Sequence, residues 1–407
     1  NRHARRRCGR IGQILKPSRG VWFVSLATAS SLLGDQMLYA VLPTIYVDLG
    51  LQPYQVGILL SANRIVRLVT NHLAERGSRR WSLAWLLAVA LVTGALLDIA
   101  YAMVTWFPGL LAARIVWGVC WSFIRQIGLM TVVDAARERA VESHGSQAQL
   151  GRAMGFYSGI SRMGSISGNL LGALGHDLIG FSATLIIFSA ASMLCVPLGP
   201  WSRRGLPRTR PQDTSVSGPT AKGLLFCGFA SGCVGQGLIA ATLGAVLGAK
   251  LGDVDLGGAL GLGVASLTGL LLASRWIADL LAPVLGHIAD RVGRRRTGAV
   301  YFIAGAIVLA IASAPQLPPL LMIVAVLAFY VTATGVAVVL QAEAGHGGSR
   351  TVASYVTASD LGSAVGPNLG WLILQLGGAE GSVFMLGAIF YALAGLAAWN
   401  SLHEKGA

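Results

Sequence analysis

Of the chain's 407 residues, 54% are hydrophobic and only 12% are charged, about half the charged fraction of an ordinary soluble protein. Together with a mean hydropathy of +0.65, this excludes a soluble globular domain and reads as an all-α membrane protein that crosses the bilayer many times. The formal net charge of +14 does not signal nucleic acid, because the cations concentrate between the apolar runs.

Apolar runs long enough to span a bilayer recur twelve times, at 21–47, 54–72, 82–104, 107–129, 151–175, 181–200, 222–248, 258–284, 297–314, 318–341, 351–376 and 382–402. Only helices satisfy every backbone group in lipid without a closed barrel, so each run is read as a transmembrane helix. With the first segment inside, the inner segments hold 24 Lys and Arg and the outer loops hold only Lys250. The remaining six are Arg64, Arg67, Arg114, Arg125, Arg162 and Arg275, within the spans. That asymmetry puts both termini in the cytoplasm. No cleavable signal peptide is read at the start, where Arg2, Arg5, Arg6, Arg7 and Arg10 form a basic tail.

The stretch 201–221 is rich in Pro, Ser and Arg and lacks periodicity, so it reads as a linker. The expected organisation is a cytoplasmic tail 1–20, a six-helix half 21–200, this linker, a second six-helix half 222–402 and a short tail 403–407. The fold expected is therefore twelve transmembrane helices in two pseudo-symmetric halves, in one chain acting as a monomer. The five cysteines are scattered without a Cys-x-x-Cys, so no disulfide framework, metal or other cofactor is expected.

Two basic stretches lie in register, one per half. The second runs Gly286-His-Ile-Ala-Asp290-Arg291-Val-Gly293-Arg294-Arg295-Arg296; the first runs Asn71-His-Leu-Ala-Glu75-Arg76-Gly77-Ser78-Arg79-Arg80. At these residues the chain resembles the major facilitator superfamily of membrane transporters, whose hallmark is a Gly-x-Leu-Ala-Asp-Arg-x-Gly-Arg-Arg loop after the second helix of each half. The second copy fits with Ile288 for Leu; the first departs at Asn71, Glu75 and Gly77-Ser78. The resemblance implies two halves rocking around a central site. It also implies that these loops latch the halves on the cytoplasmic side. Glu75 is then expected near Arg350, Asp290 near Gly151, and Arg76 or Arg80 against Asp134.

The fifth and eleventh spans repeat one another: Gly164-Ser-Ile-Ser-Gly168-Asn169-Leu-Leu-Gly172 echoes Gly362-Ser-Ala-Val-Gly366-Pro367-Asn-Leu-Gly370. Glycines four apart permit close helix packing. A related pattern marks the fifth helix of proton-coupled drug exporters, but Asn169 and Ala173 depart from it. On the fourth span, Arg114-Ile-Val-Trp-Gly118 resembles a superfamily pattern whose Arg is tied to proton coupling.

An ionisable residue inside a span is costly unless paired or wet, so each is a candidate. Asp35 and Arg114 are expected to form the proton-coupling pair. Overlaying the repeats puts Arg64 opposite Asp279 and Arg162 opposite Asp360. The resemblance implies that the second helix meets the eleventh and the fifth meets the eighth, so the crossed pairs Arg64–Asp360 and Arg162–Asp279 are expected, with Arg67 as a substitute partner. Asp98 is read as interfacial, and Arg125 and Arg275 as snorkelling to opposite surfaces. Arg67, Gln236, Tyr330 and Gln341 are the substrate-binding candidates.

The expectation is a secondary transporter of a bacterial inner membrane, moving a small solute with protons as partner. Export of a drug-like or metabolic compound leads, and uptake of an organic anion is the alternative. A non-transporting sensor on the same fold is the rival from another class. No nucleophile elbow, metal-ligand cluster or catalytic His pair supports an enzyme.

Overall fold

The structure is a computed structural model that describes residues 18–143, 148–206, 222–252 and 263–401. The expected terminal tails and most of the 201–221 linker lie outside the described residues. Among the described residues the chain forms twelve long helices and no strand. In the first half these are α1 (Arg19–Ser31 and Leu33–Ile45), α2 (Pro53–Arg80), α3 (Leu83–Met103), α4 (Phe107–Ser143), α5 (Ala148–Ile179) and α6 (Phe181–Cys195, continuing as Leu198–Ser202). In the second half they are α7 (Lys222–Leu251), α8 (Val264–Val292), α9 (Arg294–Ala312), α10 (Pro319–His346), α11 (Gly348–Gln375) and α12 (Gly381–Ser401).

Eight of these are long and apolar enough to cross a membrane by length and composition alone. The four that fall short are α1, α2, α5 and α11. Three of those carry charged residues of the interior, Arg64 and Arg67 on α2, Arg162 on α5 and Asp360 on α11, and α1, which carries Asp35, is broken at Leu32. The helices richest in apolar residues instead turn large side chains outward, such as Met103, Leu194, Leu280 and Leu320. In lipid that exposure is no cost.

Several helices are irregular where they approach the centre. In α7, residues Gly232–Ile239 form a π-helical stretch. In α8, Asp279–Leu281 tighten into a 3₁₀ turn. In α11, Pro367 sits inside the helix and removes one backbone donor. Such breaks expose carbonyls that a regular helix would hide.

The glycine repeats explain how the halves are built. Gly164, Gly168 and Gly172 of α5 press against Ala29, Leu33 and Met37 of α1, and Gly362, Gly366 and Gly370 of α11 press against Phe229, Cys233 and Thr242 of α7. A side chain at any of them would collide with the neighbouring helix. Equivalent helices of the two halves therefore use equivalent contacts. The halves meet where α2 packs on α11, α5 on α8 and α1 on α7.

Two sequence expectations are corrected. Residues 201–206 belong to the first half rather than to a free linker: the Trp201 ring lies tilted against Phe23 with ring centroids 6.5 Å apart, and Arg203 pairs with buried Asp134 at 2.6 Å. The first basic stretch is not a loop either. Gly77 stays helical against Phe123, so α2 runs to Arg80. The second stretch does turn, because Gly293 adopts φ +105°, a conformation open to glycine at little cost, and ends α8.

Candidate functional site

A cavity of about 430 Å³ lies between the halves. Its wall comes from α1, α2, α4 and α5 on one side and α7, α8, α10 and α11 on the other. Helices α3, α6, α9 and α12 contribute nothing to it.

On the wall of the first half, the break at Leu32 restarts α1 and puts Asp35 in the first turn of the new segment. The exposed amides of a helix start favour an anion there. Asp35 is buried and accepts from Arg114 Nη1 at 2.6 Å, Asn63 Nδ2 at 3.2 Å and Gln36 Nε2 at 3.0 Å. Arg114 is 1% exposed, donates Nε to the Leu59 carbonyl at 3.0 Å and lies 5.6 Å from the Tyr39 ring centre. Gly118, one turn along α4, lets that helix touch the Asn63 backbone, where a Cβ would come within 2.7 Å of the carbonyl oxygen. The Arg-x-x-x-Gly spacing thus brings α4 close enough to α2 for the guanidinium to reach α1. Asp98 is not interfacial as expected: it is 4% exposed and packs on Gly34, beside this pair.

At the junction of the halves, the structure brings Arg162 and Asp279 together at 3.2 Å. Thr334 Oγ1 donates to the same carboxylate at 3.1 Å. The other crossed pair, Arg64–Asp360, does not form. Arg64 Nη1 instead donates to the carbonyls of Gln236 at 2.8 Å and Ser363 at 2.9 Å. Both acceptors are set free by helix irregularities. Pro367 has no N–H for Ser363 four residues earlier. The Ala240 N–H, the ordinary α-helical donor to Gln236, goes to Gly237. Asp360 is left to Arg67 at 3.9 Å and Arg125 at 3.7 Å.

Arg125 and Arg275 do not snorkel to the surfaces. Both line the cavity, where Arg275 lies 4.7 Å from the ring centre of Trp276. The snorkelling expectation assumed lipid around these helices, whereas both side chains face the gap between halves. Arg67, Gln236 and Gln341 also line the cavity. Tyr330 does not; it is 1% exposed in the core of the second half, beside Phe329. Trp121, Trp276 and Tyr355 line the wall and were missed, because an aromatic in an apolar run carries no polar signal. Among the described residues no group of three or more His, Cys, Asp or Glu side chains could hold a metal.

The halves are joined on the side away from the basic stretches. There Asp177, at the end of α5, accepts the Gly263 N–H at 2.8 Å and the Ser266 N–H at 3.0 Å, capping the start of α8 across the junction. Nearby, Gly269 of α8 packs on Asn169 and Ala173 of α5, and Gly57 of α2 on Trp371 of α11. On the basic side, a Cβ at Gly151, Gly155 or Gly159 of α5 would meet nothing within 4 Å. The segment Ala282–Val292 of α8 packs on α9 and α10 of its own half. The cavity is thus open towards the basic side.

Among the described residues, Glu75 of the first basic stretch does not make its expected contact with the other half in this state. Glu75 pairs with Arg79 on its own helix at 2.8 Å, and Arg294 reaches Glu343 of α10 at 3.8 Å. Asp134, expected against Arg76 or Arg80, is held by Arg203. Gly286 packs on Val338 of α10, and Asp290 and Arg291 lie at the end of α8, near Gly293.

A sequence profile of the Major Facilitator Superfamily matches residues 24–282, more than half of the chain. The chain belongs to the major facilitator superfamily. No curated protein matches its sequence. Among solved structures, a point mutant of the nucleoside transporter NupG superposes with a TM-score of 0.73 at 12% identity, covering 94% of this chain and 99% of that one. A bacterial homolog of the human lysosomal transporter Spinster, in an inward-facing and occupied conformation, gives 0.73 at 13% identity, covering 93% and 95%. At such identities the likeness establishes the fold. As a superfamily member the protein is a multi-pass membrane protein and a secondary transporter of a small molecule, not an enzyme.

Proposed function

We propose that this superfamily member is a proton-coupled exporter of a drug-like or metabolic compound, working by alternating access, with Asp35 and Arg114 as the coupling pair. The reading rests on one observation: a carboxylate held by a guanidinium at 2.6 Å, in the wall of a cavity open to one side. Arg114 occupies one carboxylate oxygen; a shift of α1 against α4 lengthens that contact and turns the oxygen towards the cavity. Asp35 accepts three side-chain donors, so its protonation changes contacts on α1, α2 and α4 together.

The orientation follows from charge. The basic side is cytoplasmic by the positive-inside rule, so the cavity faces inward here and can be loaded from the cytoplasm. Both termini are cytoplasmic, in a bacterial inner membrane. The working unit is a monomer in this reading, supported by a cavity wall to which both halves of the chain contribute. In the opposite state the basic stretches close the cytoplasmic side, with Glu75 and Asp290 reaching the other half.

The test is pH-driven flux in proteoliposomes. Asp35→Asn is expected to abolish accumulation driven by a proton gradient while sparing exchange down a substrate gradient. Retained pH-driven accumulation would remove Asp35 from the mechanism.

A further inference from the structure

The arginines around the cavity are unequally neutralised, and the imbalance names a substrate class. Arg114 is settled by Asp35 at 2.6 Å, and Arg162 by Asp279 at 3.2 Å. Arg64 is occupied by two carbonyls and lies 5.1 Å from the Tyr39 ring centre. Three guanidiniums remain. Arg67 and Arg125 share the single carboxylate of Asp360, at 3.9 and 3.7 Å, both beyond hydrogen-bonding distance. Arg67 Nε is buried and has no hydrogen-bond partner. Among the described residues Arg275 has no carboxylate in ion-pair reach, and it rests on Trp276.

While the cavity is open, water solvates these groups. When the halves close, that water must leave. A guanidinium then left without a counter-charge is strongly disfavoured. Closure is therefore favourable only with an anion inside. The walls restrict which anion. Trp121 sits one turn from Arg125 on α4, and Trp276 follows Arg275 on α8; both line the cavity. Flat apolar faces beside cations suit a ring that carries an oxyanion. The volume of about 430 Å³ falls within the range of small-molecule sites.

Building on the transport reading, we propose that the substrate is a small aromatic carboxylate or sulfonate. Its oxyanion takes the place of Asp360 between Arg67 and Arg125, and its ring lies between Trp121 and Trp276 beside Arg275. Asp360 is a built-in competitor. It belongs to the second half, whereas Arg67 and Arg125 belong to the first, so substrate binding replaces a contact between halves with one to the cargo. This makes anion loading a condition for movement.

The test is binding to the purified full chain, read by quenching of tryptophan fluorescence and by thermal shift. The probes are 2-naphthoate and 2-naphthalenesulfonate, with 2-naphthamide as the neutral match, 2-naphthylmethylammonium as the cation and hexanoate as the ringless anion. The naphthalene anions are expected to bind at least about tenfold more tightly than the amide, the cation and hexanoate. Arg125→Gln and Arg67→Gln should each remove about tenfold from anion affinity and leave amide affinity unchanged. Asp360→Asn should tighten anion binding several-fold; a merely structural Asp360 would lower thermal stability without that gain. If neither anion outbinds its amide in wild type, the proposal is overturned, whatever the variants do. Anion-selective binding without proton-coupled flux would keep the substrate class and remove the transport reading. Flux of neutral or cationic solutes would do the reverse.

Discussion

Arg162 of α5 and Asp279 of α8 form an ion pair of 3.2 Å across the junction of the two halves. The carboxylate sits in the 3₁₀ turn that interrupts α8, and Thr334 of α10 steadies it. Its pseudo-symmetric counterpart, Arg64 of α2, grips two backbone carbonyls of α7 and α11. Both bridges join a first-half arginine to the second half beside an irregular stretch of helix. Arg162→Asp alone should lower transport roughly tenfold, and adding Asp279→Arg should restore part of it. A double reversal no better than either single variant would mean that the contact is incidental. Flux per reconstituted molecule is the measurement.

The Arg64 bridge makes a different prediction, because its partners are carbonyls rather than a carboxylate. Reversing Asp360 should not rescue Arg64→Glu. Arg64→Lys keeps the charge and one donor nitrogen in place of the guanidinium fork, and should retain more activity than Arg64→Gln. Rescue by Asp360→Arg would restore the pairing that the sequence suggested.

The latch on the far side rests on Asp177, which caps the start of α8. Losing such a cap costs about 1 kcal/mol, roughly a fivefold change in an equilibrium. Asp177→Ala should therefore raise the population open on that side. A cysteine placed at Gln36, in the cavity wall, should react faster with an impermeant thiol reagent added from the side opposite the basic stretches. An unchanged rate would show that Asp177 does not hold the closure.

Glycine packing gives a stability contrast within one helix. Gly164 touches Ala29 of α1, so Gly164→Val forces α5 and α1 apart, at a cost of about 1–3 kcal/mol. Gly155 faces open space in this state, so Gly155→Ala should stabilise the helix by up to about 1 kcal/mol. Thermal unfolding in detergent should fall for the first and hold or rise for the second. The same fall for both would mean that α5 is packed along its whole length.

Topology is checked by labelling. A cysteine at Pro53 or Gly252 should react with an impermeant reagent added outside intact cells, and one at Arg79 should not. The motive is the placement of 24 cations on one side against one on the other. Labelling at Arg79 would invert the orientation.

How much of this was legible in the sequence depends on what each residue answers to. Hydropathy marked the twelve helices because lipid imposes length and composition. The overlay of repeats, crossed between the halves, led to the pair Arg162–Asp279 because both residues are charged and the packing of halves is symmetric. The same overlay failed for Arg64. Its acceptors are carbonyls released by Pro367 and by the π-helical stretch, and a main-chain acceptor leaves no mark on charge. Arg125 and Arg275 were assigned to the surfaces because depth can be counted along a helix, but the direction that a side chain faces cannot. Asp98 looked peripheral for the same reason. The first basic stretch was read as a loop from its likeness to the second, although Gly77 stays helical and, of the two stretches, Gly293 is the glycine that takes a positive φ.

The central claim is that the two halves alternate around the cavity. Double electron–electron resonance on two spin-label pairs tests it most directly. One pair, Asp48 and Leu376, spans the halves on the closed side; the other, His72 and Val352, spans them on the basic side. On acidification or addition of 2-naphthoate, the first distance should lengthen while the second shortens, in the same fraction of molecules. Both distances staying fixed under every condition would contradict alternating access and leave a static scaffold on a transporter fold.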